Sequence, residues 1–509
     1  MSQLPLELIQ EIASLISPSD RKCLRATCRQ TNTALEQIVM GQFSVDTKTS
    51  SLPKTVQRLE TLTQAPYSHS TTVTTLRLLS SALCRKNHSE MAGKNGVERV
   101  WLLLAPAIHS LCNLRCFEWP IQEESGPVSE NDMVNALSAL PRLRELVLWI
   151  PPSLNRTIRF SRLSNLRSIT LHVFPEREGA FERVVDELAI AVAKSPDLDS
   201  VATLNRIPHG SLVYDLPSAM QHLFDKSDPY RPLPIRHIKL QDMDIPPTPD
   251  LTVHFRYLVS LDLEVIPWYT TTRVLPFLRA LESSGAFPVQ LRVPWTWVAD
   301  GTIAPYLRSH PGLQRFRSRA AYRSEEIKGV ADIFYGIIFR QHAHSLTHLL
   351  VEPAGAGRWA FGEEIALGLA RCTALVEVTI SIDTPFVGPR GLSRIQRQAQ
   401  RAIVWRLLDV GCRLPCLRTL TIVLAELIAP RHLSPQKGKA WSTLRRRAWA
   451  ETTHTALTGY RGVPASSEGL EVHMRGTGDV YSRRTAGRGR EDAFVRQRAV
   501  ATKSPRGKN

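Results

Sequence analysis

The sequence is short of the features that mark secreted, membrane-spanning or catalytic proteins. Its 509 residues hold eight cysteines: Cys23, Cys28, Cys84, Cys112, Cys116, Cys372, Cys412 and Cys416. That is too few for a disulfide framework. No pair has the two-residue separation of a zinc knuckle or a redox motif. Cys112/Cys116 and Cys412/Cys416 have three residues between them, which on a helix or in a repeat marks neighbouring apolar positions. The cysteines read as small buried hydrophobes of an intracellular protein. Long apolar runs are also missing. The best, from Val100 to Ala105, falls far short of the ~18–20 residues that a bilayer span requires. Glu7 and Glu11 stand where a secretory leader would be basic and then apolar. No membrane association is expected.

Catalytic signatures are absent as well. There is no Gly-x-Ser-x-Gly elbow. His342, His344 and His348 are close in sequence, but zinc would need further ligands and none is near, so they read as surface or capping histidines. Gly355-Ala356-Gly357 with Arg358 lacks the glycines and the Lys-Ser/Thr of a phosphate loop and reads as a turn. Glu363-Glu364 opens a helix, where carboxylates suit the dipole. Two glycosylation triplets, Asn87-His88-Ser89 and Asn155-Arg156-Thr157, would stay bare in an intracellular protein. The expectation is a non-enzyme with no cofactor and no metal.

What is present is a globular composition, 43% hydrophobic, 22% charged and 7% aromatic, which excludes wholesale disorder. The net charge of +17 is uneven: residues 431–509 hold 17 Lys+Arg against 6 Asp+Glu, and residues 1–430 hold 47 against 41. The basicity is therefore largely a property of the last stretch. There Gly, Arg, Ser and Thr dominate and apolar periodicity fades, so 431–509 is expected to be a basic, mostly disordered tail. Arg445-Arg446-Arg447, with Lys437 and Lys439, has the density of a nuclear-import signal or of plain solvated charge. The Arg-Gly segment would attract RNA electrostatically, but Tyr481 and Phe494 stand alone, without the aromatic interleaving that base stacking uses.

Residues 1–45 form a separate unit. Pro5 suits the first turn of a helix, and Leu8, Ile9, Ile12, Leu15 and Ile16 recur at helical spacing. Ser17-Pro18-Ser19-Asp20 ends that helix and offers Ser19 or Asp20 as the next N-cap. A second helix carries Leu24 and Cys28. After a break at Asn32-Thr33, a third carries Ala34, Leu35, Ile38 and Val39. Three short helices bury little, so the apolar face of Leu4, Pro5, Leu8, Ile12 and Leu15 needs a cover, either a partner or the next part of the chain. Residues 46–100 read as a linker or first helix–strand unit, with a helix on Leu52, Val56, Leu59 and Leu62, a strand on Val73, Leu76 and Leu78, and a turn from Gly93 to Gly96.

Over 101–430 a loose Leu-x-x-Leu-x-Leu unit recurs. Copies are Leu114/Phe117/Trp119, Leu143/Leu146/Leu148, Leu166/Ile169/Leu171, Leu198/Val201, Leu258/Leu261/Leu263, Leu346/Leu349/Val351, Leu375/Val378/Ile380 and Leu417/Leu420/Ile422. Helical patterns separate them: Met133/Leu137/Leu140, Phe181/Val184/Val185/Leu188/Val192, Ile327/Val330/Phe334/Ile337/Ile338 and Ile395/Ala399/Ile403/Leu407. Alternation on a strand sends the leucines to one face and leaves the intervening residues on the other. The expected fold class is α/β, an irregular repeat solenoid with a parallel sheet, or else a generic multi-domain α/β fold. The stretch from Pro229 to Pro249, with six prolines, is expected to interrupt it.

Leu4-Pro5-Leu6-Glu7-Leu8, Ile12, Leu15-Ile16, Ser17-Pro18-Ser19-Asp20 and Leu24-Arg25-Ala26-Thr27-Cys28-Arg29 follow in the order and at the distances of an F-box. Over residues 4–45 the chain resembles the N-terminal module of fungal F-box proteins, and 101–430 resembles the degenerate leucine-rich-repeat domains that follow it. Arg21-Lys22 departs from the pattern, which usually has apolar residues there. The resemblance implies a three-helix F-box whose residues Leu4, Pro5, Leu8, Ile9, Ile12, Leu15, Leu24 and Cys28 dock a Skp-type adaptor, and through it a cullin. It implies a substrate-recognition subunit of a ubiquitin ligase, cytoplasmic or nuclear, that holds an unknown target protein on its repeat sheet through positions such as Arg144, Glu145, Arg167, Ser168, Glu377 and Thr379. Two other readings stand beside it. One is an F-box scaffold outside any ligase, which the Arg21-Lys22 departure favours. The other is an RNA-associated protein acting through the basic tail.

Overall fold

A computed structural model describes residues 5–16, 18–28, 30–32, 34–35, 41–46, 51–64, 72–79, 91–121, 130–151, 154, 156–173, 180–205, 219–228, 230–241, 249–264, 274–319, 329–353, 357–383, 392–424, 435–462, 469–475, 477–484 and 493–497. They divide into two compact units, residues 1–258 and 259–509.

The first unit opens with helices Leu6–Leu15 and Pro18–Arg25. Pro5 caps the first helix from outside, at φ −54° and ψ 149°, one position earlier than its sequence suggested. Pro18 itself begins the second helix and Asp20 lies in its first turn. The expected N-cap at Ser19 or Asp20 is thereby corrected: proline's fixed φ suits the first helical position and the carboxylate meets the dipole just inside it. Residues 30–32 and 34–35 are again helical, so Asn32 continues a helical stretch where a break was expected. Ile38 and Val39 lie outside the described residues.

Seven strands follow, β1 (Gln42–Asp46), β2 (Thr75–Leu79), β3 (Cys116–Pro120), β4 (Glu145–Ile150), β5 (Ser168–Val173), β6 (Ser200–Asn205) and β7 (His237–Gln241). Each pairs in parallel with the next in chain order. The second unit continues the rule within itself: β8 (Ser260–Glu264), β9 (Gln290–Pro294), β10 (Arg315–Arg319), β11 (His348–Glu352), β12 (Glu377–Ile382), β13 (Thr419–Leu424) and β14 (Glu471–Met474) are parallel neighbours. Then β15 (Asp479–Arg484) and β16 (Ala493–Gln497) add on antiparallel. Parallel neighbours need crossovers, and helices supply most of them.

The leucine motif fixes this arrangement locally. The first leucine of a copy closes a turn: the amides of Leu114, Leu198 and Leu375 donate to the carbonyls of Leu111, Ser195 and Cys372 at 2.9, 3.1 and 3.1 Å. Just before the strand, one carbonyl then accepts two amides of the next copy. Arg115 O takes Arg144 and Glu145, Arg144 O takes Arg167 and Ser168, and Val376 O takes Arg418 and Thr419. Every strand therefore starts in the same phase, and equivalent side chains stack in register. Phe117, Leu146, Ile169, Val201 and Ile238 form one buried row of the first unit. Leu261, Leu291, Phe316, Leu349, Val378, Leu420 and Val472 form the matching row of the second.

The structure departs from the sequence reading in five further places. The sheet begins at residue 42, one strand before the one expected on Val73, Leu76 and Leu78. Gly93 and Gly96 lie inside helix Met91–Ser110 and make no turn. A Cβ at Gly96 would come within 2.4 Å of Leu52 Cδ2, so the glycine permits close approach to helix Leu52–Thr63. The proline-rich stretch contains β7, which pairs with β6 in register, because no proline falls within the strand itself. On helix Arg394–Arg413 the buried face is Gln400, Val404, Leu407 and Leu408, while Ile395 and Ala399 are exposed.

The cause of that rotation is the fifth departure. Residues 435–458, expected in a disordered tail, form a helix beside Arg394–Arg413. Gln400 Nε2 donates to Thr453 Oγ1 at 3.2 Å, Trp405 Nε1 to Ala456 O at 2.8 Å, and Tyr460 Oη to Asp409 Oδ1 at 2.5 Å. Trp449, Tyr460, Tyr481 and Phe494 are buried there. The two aromatics that stood alone in sequence are core residues, and they outweigh the polar composition around them. Residues 485–492 and 498–509 lie outside the described part.

Candidate functional site

The N-terminal helices have a core of Ile9, Ala13, Ala34 and Leu35, with Leu24 packed against it. Gln10 Nε2 donates to Ala34 O at 3.3 Å, and Arg25 Nε to Asn32 Oδ1 at 2.6 Å, tying the helical stretches together. Arg21 Nε donates to Ile16 O at 3.2 Å. Ile16 is the C-cap of the first helix, so the arginine that departs from the apolar pattern closes that helix end.

The same first helix presents Leu8 (44% exposed), Ile12 (44%) and Leu15 (82%) to solvent. At i, i+4 and i+7 they form one stripe, and Pro5 is exposed at its N-terminal end. Ile9, one residue round the helix, is 4% exposed and is corrected from a partner-contacting residue to a core residue. Leu24 is half-buried against that core. Cys28 is exposed, with its thiol held below the usual cysteine range mainly by the hydroxyl of Thr31 at 3.3 Å. Leu4 lies outside the described residues. Covering Leu8, Ile12 and Leu15 would be worth about 3–5 kcal/mol by their exposed fractions.

The second candidate surface is the strand face opposite the buried rows. Glu145, Ser168, Glu377 and Thr379 occupy it, as their place between repeat leucines suggested. Arg144 sits just before β4, and its guanidinium donates to Leu143 O and Asn165 O, both at 3.1 Å, so it braces a turn. Trp149 of β4 stacks on His172 of β5, ring centroids 4.5 Å apart and 2° from parallel. Sequence reasoning missed a denser feature in the second unit, Arg315, Arg317 and Arg319 on β10. Its signal was the Arg-Phe-Arg-Ser-Arg alternation, which lacks a second leucine because Ser318 takes the inward position.

The other sequence candidates take structural places. His342 is buried; its Nε2 is 3.1 Å from Leu307 O and its Nδ1 accepts the amide of Leu313 at 3.4 Å. His344 is exposed and His348 starts β11, so the three do not converge. No group of metal-ligating side chains occurs among the described residues. Glu363 and Glu364 begin helix Glu363–Leu369, and Glu363 pairs with Arg406 at 2.9 Å. Arg445 is buried and Arg447 pairs with Glu451 at 3.0 Å, so the arginine triplet is helix surface and core. Gly355, Ala356 and both glycosylation asparagines lie outside the described residues. The cysteine expectation holds for Cys372 and Cys412, which are buried, and fails for Cys23, Cys28, Cys112 and Cys416, which are exposed. Among the described residues no helix is long and apolar enough to cross a membrane.

Comparison with known families matches residues 1–38 to the F-box domain. No curated protein matches the chain. Among solved structures, a structural-genomics crystal structure of a Bacteroides fragilis protein aligns at 12% identity with a TM-score of 0.24. The alignment covers 55% of this chain and 64% of that one, so the chain spans less than two thirds of its length. The N-terminus of the protein is an F-box domain.

Proposed function

We propose that this F-box protein is a non-catalytic substrate receptor of a Skp–cullin–F-box ubiquitin ligase, of the kind found in fungi. The observation that carries the reading is the Leu8/Ile12/Leu15 stripe: three large apolar side chains exposed on a module whose own core is only a few residues. An F-box domain binds a Skp-type adaptor, and that stripe with Pro5 is the face offered to it. The leucine-rich-repeat-like sheet then presents the target, and the ligase's other subunits transfer ubiquitin. The chain's contribution is proximity and orientation. Such a complex would work in the cytoplasm or nucleus.

The test is co-expression with a Skp-type adaptor and its cullin. A complex that contains all three proteins supports the reading. A folded chain that captures neither partner would leave an F-box scaffold outside the ligase. The competing RNA reading rests on the Arg-Gly segment at 487–490, which lies outside the described residues, and no RNA binding by the intact protein at low salt would sink it.

A further inference from the structure

The first two turns of helix Arg394–Arg413 stand clear of the body. Arg394, Ile395, Arg397, Gln398 and Ala399 are exposed, and the first buried residue of the helix is Gln400. A local cap holds these turns where packing does not. Gln396 donates its amide to Ser393 Oγ at 3.2 Å, and Ser393 donates its own to Gln396 Oε1 at 2.8 Å. The pairs Gln400–Thr453, Trp405–Ala456 and Asp409–Tyr460 advance together, so helix Pro435–Thr458 runs parallel to this one. Continued back by two turns, that register brings Leu444 level with residues 393–395. Ile395 is 81% exposed and Leu444 46%. Around them the charge has one sign. Arg394, Arg397 and the half-buried Arg401, at i, i+3 and i+7, form one stripe. None of the three has an ion pair among the described residues. The acids of the two helices, Asp409 and Glu451, are engaged by the Tyr460 hydroxyl at 2.5 Å and by Arg447 at 3.0 Å.

We propose that this end of the helix pair seats the protein on an anionic lipid surface. Ile395 and Leu444 enter the boundary of the acyl chains, and Arg394, Arg397 and Arg401 take headgroup phosphates. An interfacial helix works in this way: aliphatic side chains sink below the headgroups, while guanidiniums on long stems stay at the level of the phosphates. The expectation of no membrane association rested on spanning length, and an interfacial seat needs none. Nucleic acid would meet the arginines equally well. It would leave Ile395 and Leu444 in water, and no base stacks on an aliphatic side chain. A second copy on the same face would set arginine against arginine. The inference stands apart from adaptor docking, because the patch lies in the second unit and the F-box in the first.

The test is co-sedimentation of the full-length protein with vesicles of phosphatidylcholine, with and without phosphatidylserine, at low and high salt. Wild type should sediment with the phosphatidylserine vesicles and be released by salt. Arg394→Gln/Arg397→Gln should weaken the binding about thirtyfold, at about fivefold for each basic residue near the surface. Ile395→Gln should weaken it about tenfold and leave the salt dependence as it was. Arg292→Gln, on β9, should change it less than twofold. Circular dichroism melts of the helix variants should match wild type, since the altered side chains are exposed. Equal sedimentation with both kinds of vesicle would overturn the proposal. So would wild-type binding in the arginine variant, or indifference to Ile395→Gln. Anisotropy of a labelled single-stranded RNA is the last arm. RNA binding that the arginine variant removes, with vesicle binding left whole, would give the patch to nucleic acid and overturn the lipid seat.

Discussion

Gly368 faces the ring of Phe339, and adding one methyl group there should destabilise the C-terminal unit. A Cβ on Gly368 would lie 2.0, 2.5 and 2.7 Å from Phe339 Cδ2, Cγ and Cε2. The ring has nowhere easy to go. Phe339 is buried and stacks on Tyr335 at 5.5 Å, and Tyr335 and Phe334 both pack on Trp359 at 5.7 and 5.5 Å. Tyr335 is further pinned because its hydroxyl donates to Trp359 O at 3.0 Å. Replacing glycine by alanine inside a helix gains about 1 kcal/mol of propensity, and forcing a methyl into a packed core costs about 1–3 kcal/mol or more. With a whole aromatic ring to displace, the upper end applies, and the net loss is about 2 kcal/mol. For a unit of this size that lowers the melting temperature by roughly 4–8 °C. Gly336, on the partner helix Val330–Gln341, is the matched control: a Cβ there meets nothing within 4 Å, so Gly336→Ala should raise the melting temperature by a few degrees. Calorimetry on both variants decides. If Gly368→Ala melts at or above wild type, the close helix contact that the reasoning depends on does not exist.

Two further predictions concern the same unit. Burial pushes His310 down to about 4, with its Nε2 on Pro288 O at 2.9 Å and the His342 ring 5.8 Å away. Its folded pKa lies below the unfolded value near 6.5, so the folded state binds fewer protons. Stability is then full above pH 6.5 and falls by roughly 3 kcal/mol as pH drops towards 4. The slope of melting temperature between pH 7 and 4.5 should flatten in His310→Gln, and an unchanged slope would show that the imidazole is not held neutral. Trp449→Ala should cost about 3–5 kcal/mol in chemical denaturation, whereas a loss under 1 kcal/mol would restore the reading of a free tail.

How far the sequence carried the fold depends on how each strand spells its inward positions. Where leucine or a near relative fills them, as at Leu143/Leu146/Leu148 or Leu375/Val378/Ile380, the strand was legible because burial in a parallel sheet tolerates little else. Strands β1, β7, β9, β10, β14, β15 and β16 were not legible. The parallel ones use Phe43 and Val45, Ile238 and Leu240, Leu291 and Val293, Phe316 and Ser318, or Val472 and Met474, patterns too brief to stand out from chance. The helix at 435–458 was hidden for a different reason. Its burial falls on separated residues, Trp449, Thr453, Ala456 and Leu457, set among arginines and threonines, and only packing against Gln400 and Trp405 makes it a core element. At the F-box, the apolar spacing predicted the Leu8/Ile12/Leu15 stripe, but it did not separate Ile9, which points into the core, from its neighbours. The β10 arginines were visible as residues, but their pairing was not, because it depends on which acids the adjoining strands supply.

The receptor role requires that the exposed stripe of the first helix be a docking face. Isothermal titration of full-length protein against a purified Skp-type adaptor measures this directly. A one-to-one complex is predicted. By exposed area, Leu15→Ala should weaken it about thirtyfold, and Leu8→Ala and Ile12→Ala about fivefold each. Circular dichroism melts should stay at the wild-type value, because none of the three belongs to the core. Wild-type affinity in all three variants, or no complex at all with a folded chain, would contradict the account.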